Sequence, residues 1–183
     1  CGAAGLMVAP PVATKAGGGE LLNYYRRVFR AVRIPIVVQD ASGYVGQSLA
    51  AGFQASLLDE FGPDRALFKP ESTPVGPVVS ALRELTGGRA RVFEGSGGLA
   101  LADTFRRGLA GTIPGADLVD AVVALWRALS AGDEATAGRV GPLLSDLLTL
   151  QSGLDGYLAV EKYLLVKQGV FKNELVRGPV GFA

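Results

Sequence analysis

Histidine is absent from all 183 residues of the chain, and this absence excludes more chemistry than any other feature of the composition. Without an imidazole the chain has no Ser-His-Asp or Cys-His nucleophile system, no histidine metal ligand and no histidine acid–base catalyst. A catalytic site in this chain therefore depends on lysine, carboxylates, tyrosine, hydroxyls, backbone amides or a bound cofactor.

Other absences narrow the class of protein. A single cysteine, Cys1, cannot form an internal disulfide or a cysteine-based metal cage. The 18 basic and 17 acidic residues balance, which is not typical of a nucleic-acid or membrane-surface protein. No apolar run reaches the roughly 18 residues of a membrane span, and the N-terminus lacks the order of a signal peptide. We expect a soluble, cytoplasmic protein that binds neither nucleic acid nor membrane.

The chain does contain an alternation of short apolar runs and amphipathic stretches. Nearly continuous apolar runs are typical of parallel strands that are buried on both faces. The five runs are Gly5–Pro10, Ile34–Gln39, Ala66–Glu71, Arg91–Gly95 and Ala110–Gly115. Stretches with apolar residues at helical spacing separate them, so the order predicts an α/β fold with a parallel sheet and right-handed crossovers.

After Gly115 the pattern becomes helical only. Three consecutive helical patterns follow, Leu118–Ala131, Ala135–Gln151 and Leu154–Gly169. We interpret the chain as one α/β unit that is closed by a helical C-terminal extension.

Lys69 is the first candidate catalytic residue, because it lies near the end of the apolar run Ala66–Glu71. Burying a charged lysine costs free energy, so desolvation favours the neutral amine that a Schiff-base nucleophile needs. The alternative is a lysine whose amine simply extends into solvent. Glu71 shares a face with Lys69 if the strand continues, where it would either transfer protons or form a structural ion pair.

Polar residues also follow the run Ile34–Gln39. Gln39 and Asp40 would point into the mouth of a site if the sheet is parallel, and are otherwise ordinary loop residues. Tyr44, in the loop that follows, is either a substrate contact or a surface aromatic residue.

The segment Gly95–Ala100 has the spacing G-x-G-x-x-A, and Asp117 follows it by roughly 20 residues, as in a dinucleotide-binding fingerprint. Its late position among the βα units and its short helix argue against nucleotide binding. The backbone amides of this turn would equally suit a small carboxylate or phosphate.

Taken together, these segments resemble the dihydrodipicolinate synthase / N-acetylneuraminate lyase family, from its fourth barrel strand to its C-terminus. The resemblance is carried by Gly2–Pro11 as the fourth strand, Glu20–Asp40 as the next helix and the fifth strand, Ala66–Leu82 as the sixth, Val92–Gly95 and Gly111–Pro114 as the seventh and eighth, and Glu161–Pro179 as the closing signature.

This resemblance implies a (β/α)₈ TIM barrel, here a partial barrel of about strands 4 to 8 with a C-terminal helical extension. Residues 1–116 would form the barrel strands, and residues 117–183 the last barrel helix and the extension. A complete barrel has eight strands, so either an N-terminal segment precedes this sequence or the protein is a remnant of a barrel, and we expect the former.

The resemblance also implies a class I lyase, in which Lys69 forms a Schiff base with a 2-oxo acid, either a pyruvate-type acid or a 2-keto-3-deoxy sugar acid. Aldol cleavage or dehydration would follow. Glu71 and Gln39 are the further catalytic candidates; the substrate-binding candidates are Asp40, Tyr44, Gly95, Ser96 and Ile113. We expect no cofactor and no metal, and a homo-oligomer, either a dimer or a tetramer.

The sequence departs from the family at its proton relay. Gln39 aligns with the usual catalytic tyrosine, Tyr44 lies near the usual carboxylate-binding arginine, and Pro11-Val12 replaces a tyrosine pair. An amide cannot exchange protons as a phenol does, which argues against lysine-pathway dihydrodipicolinate synthesis and for a divergent branch. The alternative is a non-catalytic barrel relative, either a pseudo-enzyme or a small-acid binding protein.

Overall fold

The computed structural model describes residues 2–11, 16–42, 48–151 and 153–178. Five parallel strands form one sheet in the order β1-β2-β3-β4-β5. The strands are β1 (Leu6–Val8), β2 (Ile36–Gln39), β3 (Ala66–Lys69), β4 (Arg91–Glu94) and β5 (Gly111–Thr112). Each lies inside its predicted run, and β3 ends at Lys69 because Pro70 has no N–H group to continue the ladder.

Helices follow the strands in alternation. Those between strands are α1 (Gly18–Ala31), α2 (Ala51–Phe61), α3 (Val75–Leu85) and α4 (Leu101–Arg106). Three more close the described chain: α5 (Val119–Ala131), α6 (Glu134–Thr149) and α7 (Gly153–Lys167). A strand order that never reverses is the order of a (β/α) barrel, whereas a doubly wound sheet contains a switch point. None of the helices in these ranges has the length and apolar character to cross a membrane.

The main hydrophobic core lies between the sheet and the first three helices. Helix α1 contributes Tyr25 and Phe29 at i, i+4 spacing, which places both side chains on its buried face. All four residues of β3 are buried, as expected for a strand covered on both faces. This burial holds the carboxyl end of β3, and hence Lys69, at a fixed position in the sheet.

A second hydrophobic cluster joins the C-terminal helices to α4. Its buried residues include Leu101 of α4, Leu125 of α5 and Leu144 of α6. Asp133 begins α6, where its carboxylate accepts the Thr136 N–H at 2.9 Å as a helix N-cap. The side chain of Leu144 also contacts the turn between β4 and α4, because a β-carbon built on Gly98 would lie 3.1 Å from its Cδ2. The helical extension therefore supports that turn directly.

Candidate active site

The carboxyl ends of the parallel strands place several polar side chains at one edge of the sheet. Lys69 is the last residue of β3 and pairs in register with Gln39, the last residue of β2. Residues in register on neighbouring strands project to the same face of the sheet. Lys69 is only 6% exposed although it ends a strand, so its amine lies inside the protein.

Glu71 is the partner of this buried amine. The Lys69 Nζ atom contacts Glu71 Oε1, and Gln39 Nε2 donates a hydrogen bond of 2.8 Å to the same oxygen. The side chains of the ion pair are 7% and 10% exposed. Glu71 Oε2 has no further hydrogen-bond partner among the described residues. The contact places a carboxylate, a possible proton acceptor, directly beside the Lys69 amine.

Gly95 lies against this pair, and the contact explains why glycine occupies the position. A β-carbon built on Gly95 would lie 2.8 Å from Glu71 Cγ and 3.0 Å from Lys69 Cγ. Both distances are below ordinary carbon–carbon contact, so the bare backbone is what permits this close approach. Gly95 therefore forms part of the wall beside Lys69 and Glu71.

Glu94, at the end of β4, is a buried carboxylate that our sequence analysis did not select. It is 0% exposed, and four donors surround it. The Ser96 N–H donates to Oε1 at 2.7 Å and the Ser96 hydroxyl contacts the same oxygen. The Gly98 N–H and the Thr112 hydroxyl donate to Oε2 at 3.0 and 2.9 Å. The available signal was an acidic residue that closes an apolar strand immediately before a glycine-rich turn.

The contacts of Glu94 with the turn also test whether the segment Gly95–Ala100 could bind a dinucleotide. Two N–H groups of the Gly95–Gly98 turn already donate to the protein's own carboxylate, and α4 has only six residues. A diphosphate would need those same amides at the start of a full helix. The geometry therefore does not support nucleotide binding at this turn.

Asp40 holds the loop that follows β2. Its carboxylate is 1% exposed and accepts the Ser42 N–H at 2.9 Å and the Leu49 N–H at 3.2 Å. These bonds fix both sides of the segment that contains Tyr44, which itself lies outside the described residues. The contacts give Asp40 a structural role, and substrate binding by Asp40 or Tyr44 stays a prediction.

Ser96 and Ile113 lie beside the strand ends but differ in what they present. The Ser96 hydroxyl is engaged by Glu94, whereas the Ile113 N–H donates to the Glu94 carbonyl at 3.0 Å. Both residues are half-buried. Their proposed contacts with substrate, like that of Gly95, stay predictions.

No protein-family model matches the sequence, and no curated protein matches it. Solved structures do match over nearly the whole chain. A dihydrodipicolinate synthase from Rhodopseudomonas palustris has a TM-score of 0.87 and 24% identity, with 98% of this chain and 61% of that chain covered. The fold is the dihydrodipicolinate synthase fold. A putative dihydrodipicolinate synthetase from Pseudomonas aeruginosa matches with the same TM-score and coverage at 22% identity.

A third structure with this fold is YagE, a prophage protein of the dihydrodipicolinic acid synthase family from E. coli K12, solved in complex with pyruvate. Its TM-score is 0.87 at 21% identity, and the match covers 98% of this chain and 61% of YagE. The chain thus spans about three fifths of the length of these dihydrodipicolinate synthase structures. Together with the unreversed parallel strand order, the matches confirm the partial barrel that the sequence predicted.

In this dihydrodipicolinate synthase fold, a second group of carboxylates follows β5. Asp117 is 4% exposed and accepts a hydrogen bond of 2.7 Å from Gln151 Nε2. Burial raises the pKa of the Asp117 carboxyl, and the charge of Glu161 raises it further. Glu161 in turn accepts the Tyr157 hydroxyl at 3.0 Å. The Ala116 N–H donates to Glu161 Oε1 at 3.4 Å, and this contact joins the segment after β5 to α7. Asp117, which the fingerprint would assign to a ribose, instead has a partner from the helical extension.

Proposed function

We propose that the protein is a class I lyase in which Lys69 forms a Schiff base with a 2-oxo acid. The observation that carries the proposal is the buried Lys69 amine at the carboxyl end of β3, in contact with Glu71. Barrel enzymes build their active sites at this end of the strands. The likeness of the fold to a protein solved with pyruvate supports a pyruvate-type substrate or a related 2-keto-3-deoxy sugar acid.

Glu71 would prepare the nucleophile. An ammonium group cannot attack a carbonyl, so Lys69 must first lose a proton. Glu71 is the acceptor in direct contact with the amine, so it would receive this proton without an intervening group. Gln39 cannot carry a proton, but its hydrogen bond to Oε1 would hold the Glu71 carboxyl in place beside the amine.

The covalent steps balance with these groups alone. The Lys69 nitrogen attacks the C2 carbonyl, and the carbonyl oxygen leaves as water with one proton from the amine and one from Glu71. A protonated imine remains, and Glu71 is again a carboxylate. In aldol cleavage it would take the C4 hydroxyl proton while the C3–C4 electron pair moves to the imine. In dehydration Glu71 would take a C3 proton to give the enamine and would then donate that proton to the C4 hydroxyl, which leaves as water.

We also propose a cytoplasmic homo-oligomer, either a dimer or a tetramer. Exposed leucines on and beside α6 support an apolar contact with another subunit, since large apolar patches on a protein surface mark interfaces. These residues are Leu143, Leu147, Leu150 and Leu154.

The test is mass spectrometry of the full-length protein after incubation with pyruvate and sodium borohydride. We expect a stable reduced adduct on the peptide that contains Lys69, and its loss in Lys69→Ala. Lys69→Arg is the matched control, because it keeps a cation beside Glu71 but offers no primary amine. If neither pyruvate nor a 2-keto-3-deoxy acid gives an adduct with the folded wild-type protein, the non-catalytic alternative is favoured instead.

A further inference from the structure

We infer that Glu94 is a positioning residue for the Lys69–Glu71 pair, acting through the turn that carries Gly95. The inference rests on the proposed function, because it assigns Glu94 a part in presenting the Lys69 amine. Glu94 does not touch the reacting groups through a described contact. Its effect passes through the backbone of its own turn.

The contacts to the two oxygens of the buried Glu94 carboxylate are symmetric. Each oxygen accepts hydrogen bonds from one backbone N–H and one hydroxyl. Both donors to Oε1 belong to Ser96. The donors to Oε2 are the Gly98 N–H and the Thr112 hydroxyl. All four partners are donors, so the carboxylate accepts the hydrogen bonds of the turn as a bound anion does in a phosphate-binding loop. The carboxylate thus fixes the turn and also joins it to β5, since Thr112 belongs to that strand.

The same turn lies against the candidate nucleophile through Gly95. Gly95 lies in the chain between the two anchored residues Glu94 and Ser96, so both of its ends are held. Its Cα faces the Cγ atoms of Lys69 and Glu71 at a separation that leaves no space for a β-carbon. A shift of the turn would either press on this pair or open a gap beside it. The position of the Lys69 amine relative to Glu71 therefore depends on the Glu94 carboxylate.

Glu94→Gln keeps the shape of the side chain but changes its hydrogen bonding. A hydroxyl can rotate and accept a hydrogen bond, but a backbone N–H can only donate. Because one backbone N–H points at each oxygen, the glutamine NH₂ group would face a donor in either orientation. Glu94→Gln is therefore expected to displace the turn, whereas Thr112→Val removes one hydroxyl bond and leaves both backbone bonds in place.

The experiment measures Lys69 in wild type, Glu94→Gln, Glu94→Ala, Glu94→Asp and Thr112→Val, each verified as folded by circular dichroism. One readout is the rate of pyruvate-dependent borohydride trapping at Lys69. The other is the pH profile of Lys69 acetylation by acetic anhydride, with the exposed Lys172 as internal reference. The second readout needs no substrate, so it decides on the positioning role even if pyruvate is never trapped and the proposed function fails.

We expect Glu94→Gln and Glu94→Ala to slow trapping at least about tenfold, to shift the acetylation profile of Lys69 and to leave that of Lys172 unchanged. Formate should restore part of the trapping rate in Glu94→Ala, because it fits the vacated space as a carboxylate. The trapping rate of Thr112→Val should be closest to that of wild type, and the rate of Glu94→Asp should lie between those of Thr112→Val and Glu94→Gln. If Glu94→Gln does not fold, the inference is decided by whether the trapping rate falls from wild type to Thr112→Val and further to Glu94→Asp. Folded variants whose Lys69 reacts with wild-type rate and pH profile would overturn the inference.

Discussion

Glu71 is the residue on which the proposed chemistry turns, because one of its oxygens contacts the Lys69 amine and also accepts the Gln39 amide. The sequence placed Lys69 and Gln39 at neighbouring strand ends, and the register of β2 and β3 brings them side by side. Glu71 reaches the same point although the strand stops before it. At this scale the sequence was informative, since strand ends of parallel sheets meet at one edge.

Replacing Glu71 by Gln tests its part in proton transfer. Glu71→Gln keeps the size of the side chain but removes the proton acceptor, so pyruvate trapping at Lys69 should slow by about 10²-fold or more. The pyruvate concentration for half-maximal rate should change much less. The measurement is the rate of adduct formation by mass spectrometry at several pyruvate concentrations, and Glu71→Asp is the carboxylate-retaining control. An unchanged trapping rate in Glu71→Gln would show that a group other than Glu71 accepts the proton from Lys69.

Glu94 shows what residue patterns leave out. Its donors are two backbone amides and a hydroxyl of the next turn, together with the Thr112 hydroxyl from β5. The sequence separation of Glu94 and Thr112 does not by itself predict that contact. Gly95 and Ser96 are candidates from the sequence, whereas the Glu94 carboxylate that holds their turn is not. Buried polar contacts between strands depend on tertiary structure, so they escape a reading based on local periodicity.

At the scale of the elements, apolar periodicity predicted the strands and helices but overestimated strand length. The run Ala110–Gly115 contains only the two residues Gly111 and Thr112 as strand, because the ladder with β4 has only two pairs, at Phe93 and Glu94. Ladder length depends on the partner strand, which a single run does not show. The C-terminal helices lie close to their predicted bounds, since long amphipathic patterns are the strongest local signal.

Helix α6 provides a matched pair of leucines that tests how the helical extension supports the turn after β4. Leu144 is 1% exposed and contacts Gly98, whereas its neighbour Leu143 is 67% exposed. Leu144→Ala should lower the free energy of unfolding by about 2–5 kcal/mol through the cavity it leaves. Leu143→Ala should change it by less than about 0.5 kcal/mol at a protein concentration where the subunits are dissociated, because Leu143 is then a surface residue. Urea denaturation followed by circular dichroism measures both, and equal effects would contradict the packing described here.

At the scale of the whole molecule, Asp117 makes stability depend on pH in an unusual direction. The folded state raises the pKa of this carboxyl above its ordinary value of 3.8, mainly by burial. The folded state then binds more protons than the unfolded state between 3.8 and the raised value, so the free energy of unfolding falls as pH rises through that window.

Asp117→Asn removes this dependence and can still accept the Gln151 hydrogen bond through its side-chain oxygen. The variant should gain stability relative to wild type as pH rises from about 3 toward neutrality, and the gain should level off above the raised pKa. Urea unfolding at a series of pH values gives the difference directly. A difference that stays constant over the series, or that changes in the opposite direction, would show that burial of Asp117 has no such cost.

The arrangement of the whole sheet was accessible from the order of segments alone, because five strands alternate with helices and never reverse direction in the sheet. Matches at 20–24% identity reproduce that arrangement, although no family model matches the sequence. Fold is encoded redundantly in apolar periodicity, which survives substitution. The candidate site depends on single residues such as Gln39, where a change of side chain decides whether a proton can be transferred.

The carboxylate inside the glycine-rich turn has a consequence for the environment in which the protein works. Inorganic phosphate and sulfate compete for unoccupied backbone amides at such turns and would inhibit an enzyme that left them open. Here the Glu94 side chain already accepts two of the backbone N–H groups of the turn, so a mobile anion would have to displace it to bind them. We therefore expect phosphate and sulfate in the medium to interfere little with the reaction proposed for Lys69.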